Sequence, residues 1–185
     1  MIIKAAELGC SEEAVIVAAI RMSRPLLRRG RNLPEEVEKA YQQFPKSKDS
    51  DLMSMLTIYR AAEQAGFNSA WCKKNHISWL ALRDIRQNVT RISEGMQRAG
   101  VTKNNSVNIE ALCKAIAAGF PDKIMTRSGR DRYENEAGEW AVLGNESGVV
   151  ADKIIASRTV GVQTKRGGLL RIISEATKVI AVPKT

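Results

Sequence analysis

The stretch WCKKNHISWLALRDIRQNVTRISEGMQR, residues 71–98, decides how the rest of the chain is organised. From Ser78 onward it has no proline and a single glycine, Gly95, so it predicts one long helix with Ser78 as its N-cap. At about 100° per residue, the apolar side chains of this helix fall on one face. They are Ile77, Ala81, Ile85, Val89, Ile92 and Met96. We expect this face to pack against a core.

The opposite face of the same helix carries an aromatic ring and two cations. Trp79, Arg83 and Arg86 line up there, together with Thr90. Indole rings stack on nucleobases and guanidinium groups bind phosphates, so these residues are candidates for binding nucleic acid. The alternative is an ordinary solvated surface, because exposed arginines are common.

Composition narrows the class of protein. The 185 residues, 44% of them hydrophobic, allow one good core or two small domains. The net charge of +9 favours a polyanionic partner. Cys10, Cys72 and Cys113 are widely spaced and form no C-x-x-C pair, which indicates buried thiols of a reducing compartment, so we expect a cytoplasmic protein. We expect no membrane partner, because the longest apolar run, residues 14–20, is far shorter than the roughly 20 residues of a membrane span.

Up to Phe120 the apolar pattern has a helical period. It predicts a helix that ends before Gly9, a buried helix capped by Ser11, a short helix from Pro34, a helix capped by Ser50 or Asp51, and a last helix over residues 109–120. The segment 24–31 between the second and third helices is rich in arginine. We interpret it as a solvated basic connector, with a phosphate contact as the alternative.

After Phe120 the pattern changes to short runs separated by glycine. Strands are predicted in residues 123–126, 132–135, 139–143, 148–158 and 167–174. The fold class is therefore α+β, with an N-terminal helical bundle followed by a small antiparallel β-barrel of the oligonucleotide-binding (OB) type, although a sandwich edge fits the same pattern. We divide the chain into a helical domain, residues 1–120, and a β domain, residues 121–185, and we expect the latter to be incomplete at its C-terminus.

Catalytic chemistry is poorly represented in the sequence. His76 is the one histidine and has no evident nucleophile or carboxylate partner, and four zinc ligands at suitable spacings are missing. No Gly-Lys pair occurs, so the phosphate-binding loop of nucleotide hydrolases is absent. We therefore predict no catalytic residues, no metal site and no cofactor for this chain, and we expect it not to be an enzyme by itself.

A second group of cations lies in the first predicted hairpin of the barrel. Arg127, Arg130, Arg132 and Tyr133 cluster there, where single-strand binders place arginines and aromatic rings. These residues complete the predicted nucleic-acid-binding set. Exposed arginines of an ordinary surface are again the alternative.

Taken in order, the motifs resemble the C-terminal helicase-associated region of DEAH-box ATP-dependent RNA helicases, in particular the bacterial HrpA and HrpB type. The resemblance is carried by AELGCSEEAVIVAAI (residues 6–20), by KDSDLMSMLTIYRAAEQ (48–64) with WCKKNHISWLALRDIRQNVTRI (71–92), and by AIAAGFPDKIMTRSGRDRYENEAGEWAVL (115–143). It covers essentially the whole chain.

The resemblance implies a helical "ratchet-like" bundle and an OB-fold that help to hold single-stranded RNA beside two RecA-like motor domains. It places Arg83 and Arg86 on the ratchet helix, and Arg127, Arg130 and Tyr133 at the RNA-facing entry of the barrel. ATP and Mg²⁺ are implied for the parent protein only, because the Walker motifs and the DEAH box are missing here. We therefore expect a fragment of a longer helicase. The alternative is a protein-interaction module that docks motor domains or a regulator with little RNA contact.

Overall fold

A computed structural model of the protein describes residues 1–28, 33–105 and 108–180, so Arg29 and Arg31 of the basic connector lie outside it. The helices of the described residues are α1 (Ile2–Glu7), α2 (Ser11–Met22), α3 (Glu35–Gln42), α4 (Asp51–Gln64), α5 (Ser69–Lys74), α6 (Trp79–Arg98) and α7 (Ile109–Gly119). A single 3₁₀ turn, Pro121–Lys123, leads to β1 (Ile124–Arg127), β2 (Arg132–Glu134), β3 (Trp140–Leu143), β4 (Lys153–Gln163) and β5 (Leu169–Lys178).

Helix α6 begins where the sequence predicts. The Ser78 hydroxyl accepts a hydrogen bond from the Ala81 N–H at 3.2 Å, which satisfies one of the free donors of the first turn. Ala81 and Ile85 are fully buried, and Val89 and Ile92 pack against the same core. The predicted division of α6 into an apolar and a polar face is confirmed.

Helix α2 forms the middle of the helical part, where it packs against α1, α4, α6 and α7. Its start differs from the prediction, because Cys10 is the N-cap and Ser11 is the first helical residue. The Ser11 hydroxyl donates to the Thr102 carbonyl at 3.1 Å and accepts from the Asn104 N–H at 2.9 Å. The Ser11 hydroxyl therefore bonds to residues distant in sequence and does not cap its own helix.

Helix α5, which directly precedes α6, was not predicted from the sequence. Asn68 caps it by accepting a hydrogen bond from the Ala70 N–H at 2.7 Å. The helix ends in a turn in which His76 has a positive φ of 55° and its carbonyl accepts a hydrogen bond from the Tyr41 hydroxyl at 3.0 Å. His76 thus occupies a tight structural turn.

The five strands close into a barrel in the order β1-β2-β3-β5-β4, with β4 pairing back to β1, which confirms the α+β class and the OB-like barrel. Strands β3 and β5 run parallel, whereas the sequence predicted an antiparallel sheet. The reason is geometric: strand directions cannot alternate all the way around a closed ring with an odd number of strands, so one pair must be parallel.

Strands β4 and β5 contain two compensating irregularities. Ala156 pairs with Ala176, Arg158 with Glu175, and Thr159 with Ile173. One extra residue in β4, Ser157, is therefore followed by one extra residue in β5, and the register beyond them is restored. Bulges of this kind re-aim side chains and carbonyls near a strand. Here the Ser157 carbonyl accepts a hydrogen bond from Arg21 of α2 at 2.7 Å.

The N-terminus of α4 is attached to the barrel through Asp51. Its carboxylate accepts hydrogen bonds from the Ala176 N–H at 2.9 Å, the Gly148 N–H at 3.2 Å and the Ser147 hydroxyl at 2.8 Å. Burial raises the pKa of the Asp51 carboxyl above its ordinary value, and the three donors act in the opposite direction. This group is thus a half-buried acid with specific partners on the barrel.

Buried side chains form one cluster among the helices and another inside the barrel. The two parts also touch, because α4 and α7 both pack against β5. The division into domains at residue 120 stays a prediction.

Candidate nucleic-acid interface

The polar face of α6 is open along its length. Trp79 is 37% exposed, and Arg83 and Arg86 are both exposed. The Arg86 guanidinium lies 4.2 Å from the centre of the Phe67 ring, a cation–π contact that fixes its direction. Arg83 has no such anchor among the described residues. All three predicted residues are therefore accessible, with one of them held in place by a neighbouring ring.

Two further arginines of α6, Arg91 and Arg98, are exposed as well and were not among the predicted site residues. The helical period could have predicted them, because both fall in the same polar half of the helix as Arg83 and Arg86. None of the four arginines of α6 has a carboxylate within 4 Å in the described part of the chain. We call this surface, made by Trp79 and the four arginines, the α6 basic face.

A shallow hollow of about 390 Å³ lies along the seam between α2 and α6. Arg24 and Asp84 form an ion pair of 2.7 Å there, and the Asn88 amide donates to the Ser23 hydroxyl at 3.0 Å. Gln87 and Arg91 complete the rim. The hollow is polar and lies beside the α6 basic face.

The predicted cluster in the first hairpin, residues 124–134, which we call the arginine hairpin, is more ordered than an exposed basic loop. The Arg127 guanidinium donates to the Tyr133 hydroxyl at 2.9 Å, the Ala151 carbonyl at 3.1 Å and the Arg130 carbonyl at 3.2 Å. Arg127 is only one-third exposed and also lies 3.4 Å from a carboxylate oxygen of Asp152. Most of its hydrogen-bonding capacity is used within the barrel.

Tyr133 was expected at the RNA-facing surface, and its position corrects that expectation. Its side chain is 0% exposed in the barrel core, and its hydroxyl donates to the Ala151 carbonyl at 2.6 Å. In a strand, neighbouring side chains point to opposite faces, so Tyr133 points inward where Arg132 points outward. No ring face of Tyr133 is available for stacking, and the residue instead helps to position Arg127.

Arg130 and Arg132 are the exposed cations of the hairpin, and Arg132 also lies 3.8 Å from a carboxylate oxygen of Glu134. The Arg132 guanidinium lies 4.5 Å from the centre of the Trp140 ring. Trp140 is 40% exposed and was not predicted as a site residue. Side chains alternate between the two faces of a strand, and Ala141 next to it is buried. This alternation could have predicted that the Trp140 indole lies on the outside of the barrel.

The structure keeps the two groups of predicted residues apart. Trp79, Arg83 and Arg86 share one helix, and the arginine hairpin belongs to the barrel. No hydrogen bond, ion pair or ring contact among the described residues joins them. The described residues also hold no cluster of three or more histidine, cysteine or carboxylate side chains suited to a metal ion. None of the helices seen in the described ranges is both long enough and apolar enough to cross a bilayer.

Comparison with known proteins points to one kind of relative. No protein-family model matches the chain. It is 23% identical over 157 residues to the pre-mRNA-splicing factor ATP-dependent RNA helicase prp22 of Schizosaccharomyces pombe, covering 83% of this chain and 13% of the relative. It is 26% identical over 127 residues to the ATP-dependent RNA helicase DHX33 of Drosophila melanogaster, covering 67% and 18%. It is 27% identical over 128 residues to the ATP-dependent RNA helicase homolog DQX1 of Mus musculus, covering 64% and 17%.

The chain therefore spans less than a fifth of the length of these relatives. All three relatives are named as ATP-dependent RNA helicases or as a homolog of one, and the similarity extends over most of the chain. Together with the helical bundle and closed barrel, these similarities support a helicase-associated region, similar to one segment of ATP-dependent RNA helicases.

Proposed function

We propose that this chain is a non-catalytic accessory region of a DEAH-box ATP-dependent RNA helicase, of the bacterial HrpA or HrpB type, and that it guides single-stranded RNA. The parent protein supplies the RecA-like motor domains, binds ATP and Mg²⁺, and works in the cytoplasm. In this proposal the chain contributes binding and direction and hydrolyses nothing itself. The helicase activity proposed for the parent is supported by the chain's relatives, which are named as ATP-dependent RNA helicases.

The α6 basic face is the observation that supports RNA binding most strongly. Its four arginines project from one side of a rigid helix and have no carboxylate partner among the described residues. Unpaired guanidinium groups on a fixed element favour a polyanion, because binding releases the counterions condensed on its phosphates. Trp79 at the start of the helix adds a ring on which a base can stack.

The arginine hairpin supplies a second contact in this proposal. Arg130 and Arg132 remain in the proposed interface, Arg127 contributes its exposed third, and Tyr133 is removed from it. The helical part and the barrel are joined by partly buried polar contacts, so the two basic groups are held at a fixed separation. A strand of RNA that touches both would be gripped by one rigid body.

The affinity of the full chain for a labelled single-stranded RNA at several salt concentrations tests this proposal. If about four phosphates are neutralised, the logarithm of the affinity should fall with the logarithm of salt concentration with a slope of about −3. The double variant Arg83→Ala, Arg91→Ala should bind on the order of tenfold or more weakly and show about half that slope.

A variant that removes the same charge elsewhere is the matched control. Lys4→Ala with Lys39→Ala alters two exposed lysines that pair with glutamates on α1 and α3. It should bind RNA much as the unaltered chain does. Equal losses in the two double variants would show that net charge alone drives binding, and absence of binding at low salt would refute the proposal.

The alternative, a protein-interaction module, has one observation in its favour. Beyond the part that pairs with β1 and β3, strands β4 and β5 continue as a two-stranded ribbon in which Val162 is 40% and Leu169 is 68% exposed. Exposed apolar side chains on a projecting ribbon are typical of docking surfaces. A pull-down with RecA-like motor domains, compared between the unaltered chain and Val162→Ser, tests this function separately from RNA binding.

A further inference from the structure

A cavity of about 330 Å³ opens at one mouth of the barrel, separate from the α6 basic face. Its lining includes Met125, Ala141 and Ala156 from the barrel core and Trp140 and Leu169 from the surface. It therefore connects the barrel interior with solvent. Its volume is at the lower end of the roughly 300–1,000 Å³ of small-molecule sites, which often lie in barrel mouths. A single small, flat group fits such a space.

The indole of Trp140 forms a fixed wall of this cavity. The Arg132 guanidinium lies 4.5 Å from the centre of the Trp140 ring and is not part of the cavity lining. The contact holds the ring in place before any ligand arrives, which lowers the entropy lost on binding. Trp140 thus presents a preorganised aromatic surface to the cavity.

The rim of the cavity is polar but carries no net charge. Lys123 pairs with Asp122 at 3.2 Å, and Arg171 pairs with Glu139 at 3.1 Å. The Asn135 amide donates to the second Glu139 oxygen at 2.9 Å. Exposed pairs of this kind are weak and exchange partners readily. The rim therefore offers both donors and acceptors to an uncharged polar ligand and gives no advantage to a phosphate.

We propose that this cavity binds one unstacked nucleobase of single-stranded RNA, with the base against Trp140 and its polar edge at the Asn135 and Glu139 rim. The inference rests on the proposed function. Arg132 connects the proposed RNA interface with the cavity, since it belongs to the arginine hairpin and also contacts Trp140. In this arrangement the hairpin holds the phosphates and the neutral cavity receives the base between them. Unpaired bases are recognised by stacking and by hydrogen bonds to their edges.

Fluorine NMR of the full chain labelled with 5-fluorotryptophan tests the inference directly. The three tryptophans give separate resonances, which Trp→Phe variants assign. Trp79 reports on the α6 basic face, Trp140 on the cavity, and Trp71, which packs against the helical core, is the internal control. The probes are a uridine decamer and an abasic ribose-phosphate decamer of the same length.

We expect the Trp140 resonance to shift with the uridine decamer and not with the abasic strand. If only Trp79 responds while the RNA binds, the cavity does not take a base and the proposed function stands. If neither resonance moves and no RNA binds, both are refuted. An equal Trp140 shift with both strands would assign the effect to the backbone and overturn the inference.

Affinity measurements provide the second test. Trp140→Ala should weaken binding of the uridine decamer by about 5- to 100-fold, as expected for the loss of one stacked base. Trp140→Phe should recover most of that loss, and neither variant should alter binding of the abasic strand. Val162→Ala, an exposed apolar residue outside the cavity, is the matched control and should bind both strands normally. Unchanged uridine affinity in Trp140→Ala would contradict the inference.

Discussion

Arg21 and Glu175 lie 154 residues apart in sequence, and the Arg21 Nε donates to a Glu175 carboxylate oxygen at 3.0 Å. The second oxygen of Glu175 is 3.3 Å from Arg158, which also donates to the Arg21 carbonyl at 2.7 Å. The Arg21 guanidinium additionally lies 4.3 Å from the centre of the Phe120 ring. One buried carboxylate thus ties the end of α2 to the irregular part of β4.

Replacing Glu175 with glutamine should destabilise the whole chain. The Glu175 side chain is only 8% exposed, and the change would leave Arg21 and Arg158 partly buried without their counter-charge. Removing one partner of a buried pair costs about 3–5 kcal/mol, and the partial exposure of the two arginines reduces this to about 2–3 kcal/mol. Urea denaturation at neutral pH measures the loss.

The matched control for this variant is Glu35→Gln. Glu35 pairs with Lys39 on the surface of α3, and its side chain is 80% exposed. Such a pair contributes at most about 1 kcal/mol. If both variants lose the same small amount, the Glu175 network does not hold the two parts together.

Asp51 should give the stability of the chain a dependence on pH at the acidic end. Burial raises the pKa of this carboxyl in the folded state above its ordinary value of 3.8, so the folded chain holds a proton where the unfolded chain has released it. The contribution of Asp51 to stability therefore falls as pH rises from the ordinary pKa through the folded one, and is constant above that.

The variant Asp51→Asn cannot titrate and isolates this effect. The stability of the unaltered chain minus that of the variant should decrease between about pH 3.5 and the folded pKa, and should then remain level up to about pH 7. Denaturant titrations across this range measure the difference. A difference that instead increases over the same range would mean that the three hydrogen-bond donors outweigh burial.

Tyr133→Phe should separate a structural role from an RNA-binding role. The change removes the hydrogen bond to the Ala151 carbonyl and the one accepted from Arg127, so we expect a loss of about 1–2 kcal/mol of stability. RNA affinity should change little, because the ring is buried. Arg130→Ala should show the reverse, with normal stability and weaker RNA binding. A large affinity loss in Tyr133→Phe at normal stability would contradict the structural role.

The cysteines should be unreactive in the folded protein. Cys10, Cys72 and Cys113 are all buried, and burial raises the pKa of each thiol, that of Cys113 to about 12. Only the thiolate attacks disulfide reagents, so a chromogenic reagent at about pH 8 should detect no fast-reacting thiol in the native chain. The same reagent should detect all three in denaturant. A fast native reaction would show that one of these sites opens locally.

Patterns of local origin were predictable from the sequence. Ser78 caps the helix it was assigned to, because capping depends on a few neighbouring residues. The strands β1, β2 and β3 were located to within a residue or two. Strand β4 was predicted five residues too early and ended at Arg158. Gly161 interrupted the apolar pattern, whereas in the structure Leu169 of β5 covers it.

Features that depend on distant partners were not predictable. The network of Arg21 and Glu175 requires knowledge of how α2 meets the barrel, and so does the position of Asp51 beside Ala176. The burial of Tyr133 was different, since the alternation of its strand already placed it opposite Arg132. Tyr133 was expected at the RNA-facing surface because of its residue type and the resemblance to the helicase region. The side-chain period of two in its strand was the better guide, since it places Tyr133 inside the barrel.

The paired irregularities in β4 and β5 restrict which insertions and deletions the chain can tolerate. Deleting Ser157 alone would shift every residue of β4 beyond it by one position and exchange the two faces of the ribbon. Deleting Ser157 together with Ser174 would restore alignment at the ribbon tip but would remove the carbonyl that Arg21 binds. Insertions and deletions should therefore accumulate in the turn between Gln163 and Leu169, where they leave both strands in register. Insertion or deletion of a single residue at Ser157 should be rare among functional variants.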